Sequence, residues 1–151
     1  MFIKQISVLL KNKTGALAEL TALLLTKAIA IFALTIVESE EYGTLRMVVS
    51  DPELALTLLK DADYAAAQAD VFAVLQFENA TQLADLFILV QAHNINVEYL
   101  YAFNRSVEGA GVVVFRTNLP IETRELLLQH NIKTVSQARL QKMDFRLEKN
   151  L

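Results

Sequence analysis

The sequence predicts an α+β fold in which one βαββαβ unit is present twice, and three observations carry that prediction. Residues Val8 to Val37 recur in outline 66 positions later: Val8-Leu9 returns as Val74-Leu75, Leu17-Ala18 as Leu83-Ala84, Leu20 as Leu86, and Ile29 and Ile31 as Ile95 and Val97. The offset reaches 68 at Pro52 and Pro120, as one short loop insertion would cause. A period of this length is too long for a solenoid repeat and suits a small domain used twice. Within each copy, alternating apolar segments and helix-spaced segments follow one another in the same order. Hydrophobic residues make up 54% of the 151 residues, above the usual ~45–50%. Each half alone is small enough to be marginally stable, so the halves are expected to share a core or a continuous sheet, or to pair with a second copy.

The elements follow in order. Ile3 to Leu10 alternates, with Ile6, Val8 and Leu10 on one face, and reads as a strand. Asn12-Lys13-Thr14-Gly15 is turn chemistry. From Ala16 the spacing becomes helical, with Leu17, Leu20 and Leu24 in one stripe among good helix formers. Ile31 to Val37 is a β-branched run suited to a buried strand. Glu38 to Gly43 is a polar hairpin connection, and Leu45, Met47 and Val49 share one side of the next strand. Ser50-Asp51-Pro52 starts a second helix, with Asp51 as N-cap and Pro52 at the first helical position. Ala65 to Ala69 supplies a short closing strand.

The second copy assigns Val71 to Phe77 to a strand, Thr81 to Ala92 to a helix, and Val97 to Phe103 and Val112 to Arg116 to a hairpin closed by Glu108-Gly109-Ala110-Gly111. Pro120 to Gln129 is its second helix and Ile132 to Val135 its last strand. The expected division is 1–69 for the first domain, 70–136 for the second, and a tail, 137–151, with a short docking helix. The βαββαβ order defines a ferredoxin-like superfold, whose antiparallel sheet carries both helices on one face. Two such sheets are expected side by side. Val97, Tyr99, Tyr101 and Phe103 on one face and Leu100 and Ala102 on the other leave the second-half sheet apolar on both sides. Its bare face is therefore expected to pack on another sheet, most simply in a homodimer.

Composition narrows the function. A net charge of −3 and a pI near 5.4 lack the basic footprint of a nucleic-acid binder. With no Cys there is no disulfide, thiolate metal site or cysteine nucleophile. Ala16 to Val37 is long enough to span a membrane, but Glu19 and Lys27 interrupt it and its periodicity changes near Ala28. No targeting segment is apparent, and a cytoplasmic protein is the expectation. The two histidines both sit in His-Asn-Ile at a helix end, which favours capping over acid–base work. No His-Glu-x-x-His helix, phosphate loop or nucleophile–base set can be assembled, so neither enzymatic activity nor a metal or other cofactor is expected.

One stretch carries more. Leu10-Lys11-Asn12-Lys13-Thr14-Gly15-Ala16-Leu17-Ala18-Glu19-Leu20 resembles the first strand, loop and helix of ACT domains. Ala28 to Val37, Tyr42-Gly43-Thr44-Leu45-Arg46 and Ser50-Asp51-Pro52 are similar to the strands and helix start that follow. Asn94 to Phe103 resembles a segment of small stand-alone tandem ACT proteins. The likeness covers nearly all of the chain up to about Val135.

That resemblance implies regulation by a free amino acid, held between two ACT copies and read by a metabolic enzyme or transporter. The residues it nominates are Asn12, Lys13, Thr14, Gly15, Ala16 and Leu17 of the loop and helix start, with Tyr99, Leu100 and Tyr101 on the facing strand. Gly15 permits close backbone approach, the helix-start N–H groups at Ala16 and Leu17 can hold a carboxylate, and Asn12 offers donor and acceptor. The equivalent second loop, Glu78-Asn79-Ala80-Thr81-Gln82, has Thr81 where Gly15 stands and Glu78 for Asn12. One competent site per chain is therefore expected, with the second degenerate or altered. An aromatic, histidine-like or branched effector fits such a wall about equally. The competing reading is a ligand-free module of the same fold that acts by dimerisation or partner binding.

Overall fold

A computed structural model describes residues 2–76, 80–104, 106–107 and 109–144. The elements are β1 (Ile3–Lys11), α1 (Ala16–Leu25), β2 (Ile31–Glu38), β3 (Tyr42–Val49), α2 (Pro52–Asp61), β4 (Ala66–Gln76), α3 (Ala80–Ala92), β5 (Val97–Ala102), β6 (Gly111–Thr117), α4 (Pro120–Gln129) and α5 (Gln137–Asp144). The fold is α+β with tandem ferredoxin-like units, as the repeat predicts. Two details differ from expectation. The closing strand of the first copy and the opening strand of the second form one uninterrupted strand, β4. The expected last strand, Ile132 to Val135, is a single bridge, Thr134 to Val74, held by Leu75 N–H donating to the Lys133 carbonyl and Val135 N–H to the Ala73 carbonyl.

The chain clusters into two compact units. Residues 4–69 and the chain from Ala138 onward form one, while residues 70–137 and the first three residues form the other. Each unit thus includes a piece of the opposite terminus. Phe2 lies 4.9 Å from the Phe72 ring in the second unit, and Leu140 of α5, which belongs to the first, is completely buried. The tail helix expected from sequence is therefore present and built into a domain.

In the first unit the strand order is β2-β3-β1-β4. Antiparallel registers pair Val8 with Leu45 and Ile6 with Met47, and Leu34 with Met47. That alignment puts Ile6, Val8, Leu10, Leu45, Met47 and Val49 on one face, where they pack with Leu20 and Leu24 of α1 and Ala55 and Leu59 of α2. The second unit runs β4-β6-β5, and Phe72, Val74 and Phe115 pack with Leu86, Val90, Leu126 and Leu127.

The opposite faces are not bare. Ala33 pairs with Val48 and Ala73 with Val114, and all four are buried within the single chain, as is Tyr101. Edge strand β2 of the first unit exposes Leu34, Ile36 and Val37, and single large apolar side chains such as Leu25, Ile88 and Ile121 are exposed on the helices. Among the described residues no helix is long and apolar enough to cross a membrane.

All four repeat helices end alike. Ala28, Asp63, Asn94 and Asn131 adopt left-handed backbone conformations. The next residue then donates its N–H five positions back: Ile29 to Leu24, Tyr64 to Leu59, Ile95 to Val90 and Ile132 to Leu127. These are Schellman-type ends, which satisfy terminal carbonyls and bury an apolar residue just past the helix. They account for both His-Asn-Ile sequences, and the His93 Nδ1–H donates to the Leu89 carbonyl at 2.9 Å.

Helix starts differ from one another. Asp51 accepts from Leu54 N–H at 3.0 Å, as expected of an N-cap. Thr81 lies inside the first turn of α3. Ala28 is the ill-suited member of the C-terminal set, since its φ of 53° suits glycine or asparagine. Ala28→Gly is expected to raise stability by about 0.5–1 kcal/mol, the relief of left-handed strain less the greater unfolded-state entropy of glycine. The urea midpoint measures it.

Candidate ligand cleft

The first loop leaves β1 through a tight reversal. Asn12 N–H donates to the Glu41 carbonyl at 3.0 Å and Lys13 N–H to the Lys11 carbonyl at 2.9 Å, so the backbone doubles back within two residues. Gly15 then opens α1 with φ +87° and ψ −10°, and no side chain caps the helix. A Cβ built at Gly15 meets nothing within 4 Å. The glycine is therefore required for its backbone conformation, and the space before it is open. Ala16 N–H, expected among the free donors, turns back to the Lys13 carbonyl at a long 3.3 Å. Ala16 is buried, Leu17 half-buried, and Asn12, Lys13 and Thr14 are exposed.

Beside this loop lies a cleft of about 400 Å³ in the same unit. Lys11 and Lys13 supply cations, Glu19 and Asp63 supply carboxylates, and Tyr42 and Tyr64 supply ring surface. Leu9, Leu10, Ala16 and Ala65 complete its lining. Sequence reading found the loop but missed the rest of this wall. The signal was available at Asp63, an acidic residue at the left-handed helix end, but it reads as ordinary turn chemistry until the fold brings it to Lys13. A cleft with both signs of charge and aromatic edges is complementary to a zwitterion carrying a side chain. Its charges are largely solvated, so each contributes modestly and binding requires several together.

Tyr99, Leu100 and Tyr101 belong to the second unit. The two tyrosine rings stack with centroids 6.5 Å apart on the face opposite the helices. Tyr101 is only 7% exposed, whereas Leu100, on the helix face of edge strand β5, is 46% exposed. Arg116 pairs with Glu98 at 3.1 Å beside them. The counterpart of the first loop, Glu78 to Gln82, lies partly outside the described residues. Among the described residues no group of three or more His, Asp or Glu side chains is placed to hold a metal ion.

The chain is thus a duplicated βαββαβ fold with a small charged cleft at its first loop. The chain matches the ACT domain pair family over residues 1–144, and it is a member of that family. ACT domains are regulatory rather than catalytic modules.

Among solved structures, a protein of Bacteroides thetaiotaomicron is 31% identical, with a TM-score of 0.86 over 94% of this chain and 97% of that one. The regulatory subunit of aspartate kinase from Thermus thermophilus, in a ligand-free form, shares the fold at 16% identity and TM-score 0.59, covering 83% of this chain and 91% of the subunit. The corresponding subunit from Thermus flavus does so at 16% identity and TM-score 0.56, covering 94% and 92%. No curated protein matches the sequence significantly.

Proposed function

We propose that this chain is a cytoplasmic, non-catalytic regulator that responds to a free amino acid seated in the cleft at the first loop. The observation that carries this reading is the convergence of Lys11, Lys13, Glu19 and Asp63 on one cleft beside Gly15 and an uncapped helix start. The ligand carboxylate meets the lysines and the N–H groups of the first turn, its ammonium group meets Asp63 or Glu19, and Asn12 and Thr14 close the mouth. A far wall from edge strand β5 of a second copy, with Tyr99 and Leu100 backed by the buried Tyr101, completes the seat in a homodimer. The effector then shifts a conformational equilibrium by its differential affinity for the two arrangements, and a separate metabolic enzyme or transporter reads the change.

The test is a thermal-shift panel of the twenty amino acids. An effector at about a hundred times its Kd adds roughly 2.7 kcal/mol of stability, which is several degrees for a domain of this size. Silence across the panel transfers the argument to the ligand-free interaction module. The exposed Leu34, Ile36 and Val37 on edge strand β2 favour that second reading, because an unpaired apolar edge is a template for another strand. On it, Ile36→Lys converts a dimer to a monomer in sedimentation without any amino acid present.

A further inference from the structure

The second unit contains a cleft of its own, about 310 Å³, at the place equivalent to the first. The repeat offset of 66 relates Ala16 to Gln82 and Glu19 to Asp85, and the offset of 68 relates Asp63 to Asn131, Tyr64 to Ile132 and Ala65 to Lys133; every one of these residues lines its cleft. Both clefts lie between the start of the first helix of the repeat and the left-handed residue after its second, Asp63 or Asn131. The duplication has kept the cavity and changed its chemistry.

Leu83, Leu86 and Leu89 of α3 face Val74 and Val113 of the sheet, so the walls are aliphatic. On the closing side an acid has become an amide, at Asn131, and an alanine has become a cation, at Lys133. Gln82 adds another donor, and Asp85 is the acidic group at the cleft. Where the first cleft offers two carboxylates, Glu19 and Asp63, to an ammonium group, this one keeps a single carboxylate, Asp85, opposite amide and ammonium donors. Its volume is at the lower end of small-molecule pockets, ~300–1,000 Å³.

We infer that the second cleft is a distinct site for a small monocarboxylate with a branched or aromatic hydrocarbon tail and no α-amino group. The tail occupies the space between α3 and β4, and the carboxylate meets Lys133 with Gln82 and Asn131. The chain then reads two different metabolites through two copies of one cleft, and the second does not depend on the first being occupied.

The test uses the full chain with methyl-labelled Leu and Val and three probes: 3-phenylpropanoate, phenylalanine and 3-phenylpropanamide. The expected result is that 3-phenylpropanoate moves the methyl resonances of Leu83, Leu86, Leu89 and Val113 and binds about tenfold more tightly than either of the other two, the worth of one charge-assisted hydrogen bond. Lys133→Gln removes that preference for the carboxylate over the amide while leaving amide binding unchanged. Leu89→Trp fills the cavity and abolishes both. The proposal is overturned by no movement of these methyls, by movement confined to Leu9 and Leu10 of the first cleft, or by phenylalanine binding as tightly as its des-amino analogue. A Lys133→Gln protein that keeps the carboxylate preference overturns it as well, and because residue 133 is exposed that variant tests the idea even if Leu89→Trp fails to fold.

Discussion

Phe115→Ala is expected to destabilise the protein by about 3–5 kcal/mol, the range for removing a fully buried aromatic side chain and leaving its cavity. Phe115 is completely buried at the centre of the second core. Its ring lies 5.4 Å from Phe72, which in turn lies 4.9 Å from Phe2. Truncation therefore removes one end of a run of three tilted rings and undercuts its neighbours, including Phe2. A loss of this size approaches the whole stability of many domains, ~5–15 kcal/mol.

The buried cluster from Ile6 to Leu59 and that from Phe72 to Leu127 share no residue. The variant should therefore lose the two-state character that a single cooperative unit would keep. Calorimetry is expected to show an early transition for the second unit followed by a later one for the first. Hydrogen exchange should place the weakened amides in β4, β6 and α4 while Leu20, Leu24 and Met47 stay protected. Phe115→Leu, which keeps most of the volume, should shift the midpoint much less. A Phe115→Ala protein as stable as the parent would show that the second unit does not depend on its aromatic centre.

The contrast between the cores and the clefts explains how much of the molecule was legible in the sequence. Core positions announce themselves by period: Ile6, Val8 and Leu10 alternate, Leu20 and Leu24 are one helical turn apart, and both patterns survive in the second copy. Asp51-Pro52 fixed a helix start because cap chemistry is local. One local rule misled. Ala65 to Ala69 and Val71 to Phe77 look like two strands because Asp70 interrupts the apolar run, but an acidic residue at the junction of two units does not break a ladder, and β4 continues through it.

The cleft was half visible. Asn12 to Gly15 form a contiguous loop with recognisable turn chemistry, whereas Tyr42, Asp63 and Tyr64 reach it only through the register of β3 and the turn into β4. Lys11 and Glu19 were in plain sight, but a lysine and a glutamate on exposed positions carry no signal until a concave surface gathers them. The second cleft was wholly hidden, since nothing in Leu83, Asn131 or Lys133 taken singly suggests a cavity. Only the offset that relates them to the first cleft does so, and it acquires meaning once the fold shows what Asp63 and Ala65 line.

Gly15→Val is expected to abolish the amino-acid response, and the reasons can be separated experimentally. With φ at +87°, a β-branched residue is a conformational outlier, and holding it there costs about 1–3 kcal/mol. The loop relieves that strain by rotating residue 15 out of the left-handed region, which swings Lys13 away from Asp63 and Glu19 and re-aims the first N–H groups of α1. Affinity should fall by more than about tenfold, the equivalent of some 1.4 kcal/mol, while far-ultraviolet circular dichroism barely changes, because only one loop has moved.

Gly15→Asn distinguishes backbone from space. Asparagine tolerates the left-handed region, so this variant should keep the loop and lose little stability. Its side chain nevertheless enters the volume that is empty in front of the helix, where an added Cβ meets nothing within 4 Å. If the effector approaches the backbone through that gap, Gly15→Asn also loses the response despite an intact fold. If Gly15→Asn responds like the parent, the glycine serves only the turn and the effector is seated deeper, against Tyr42, Tyr64 and Asp63. If Gly15→Val itself still responds in full, the first loop is not the seat at all.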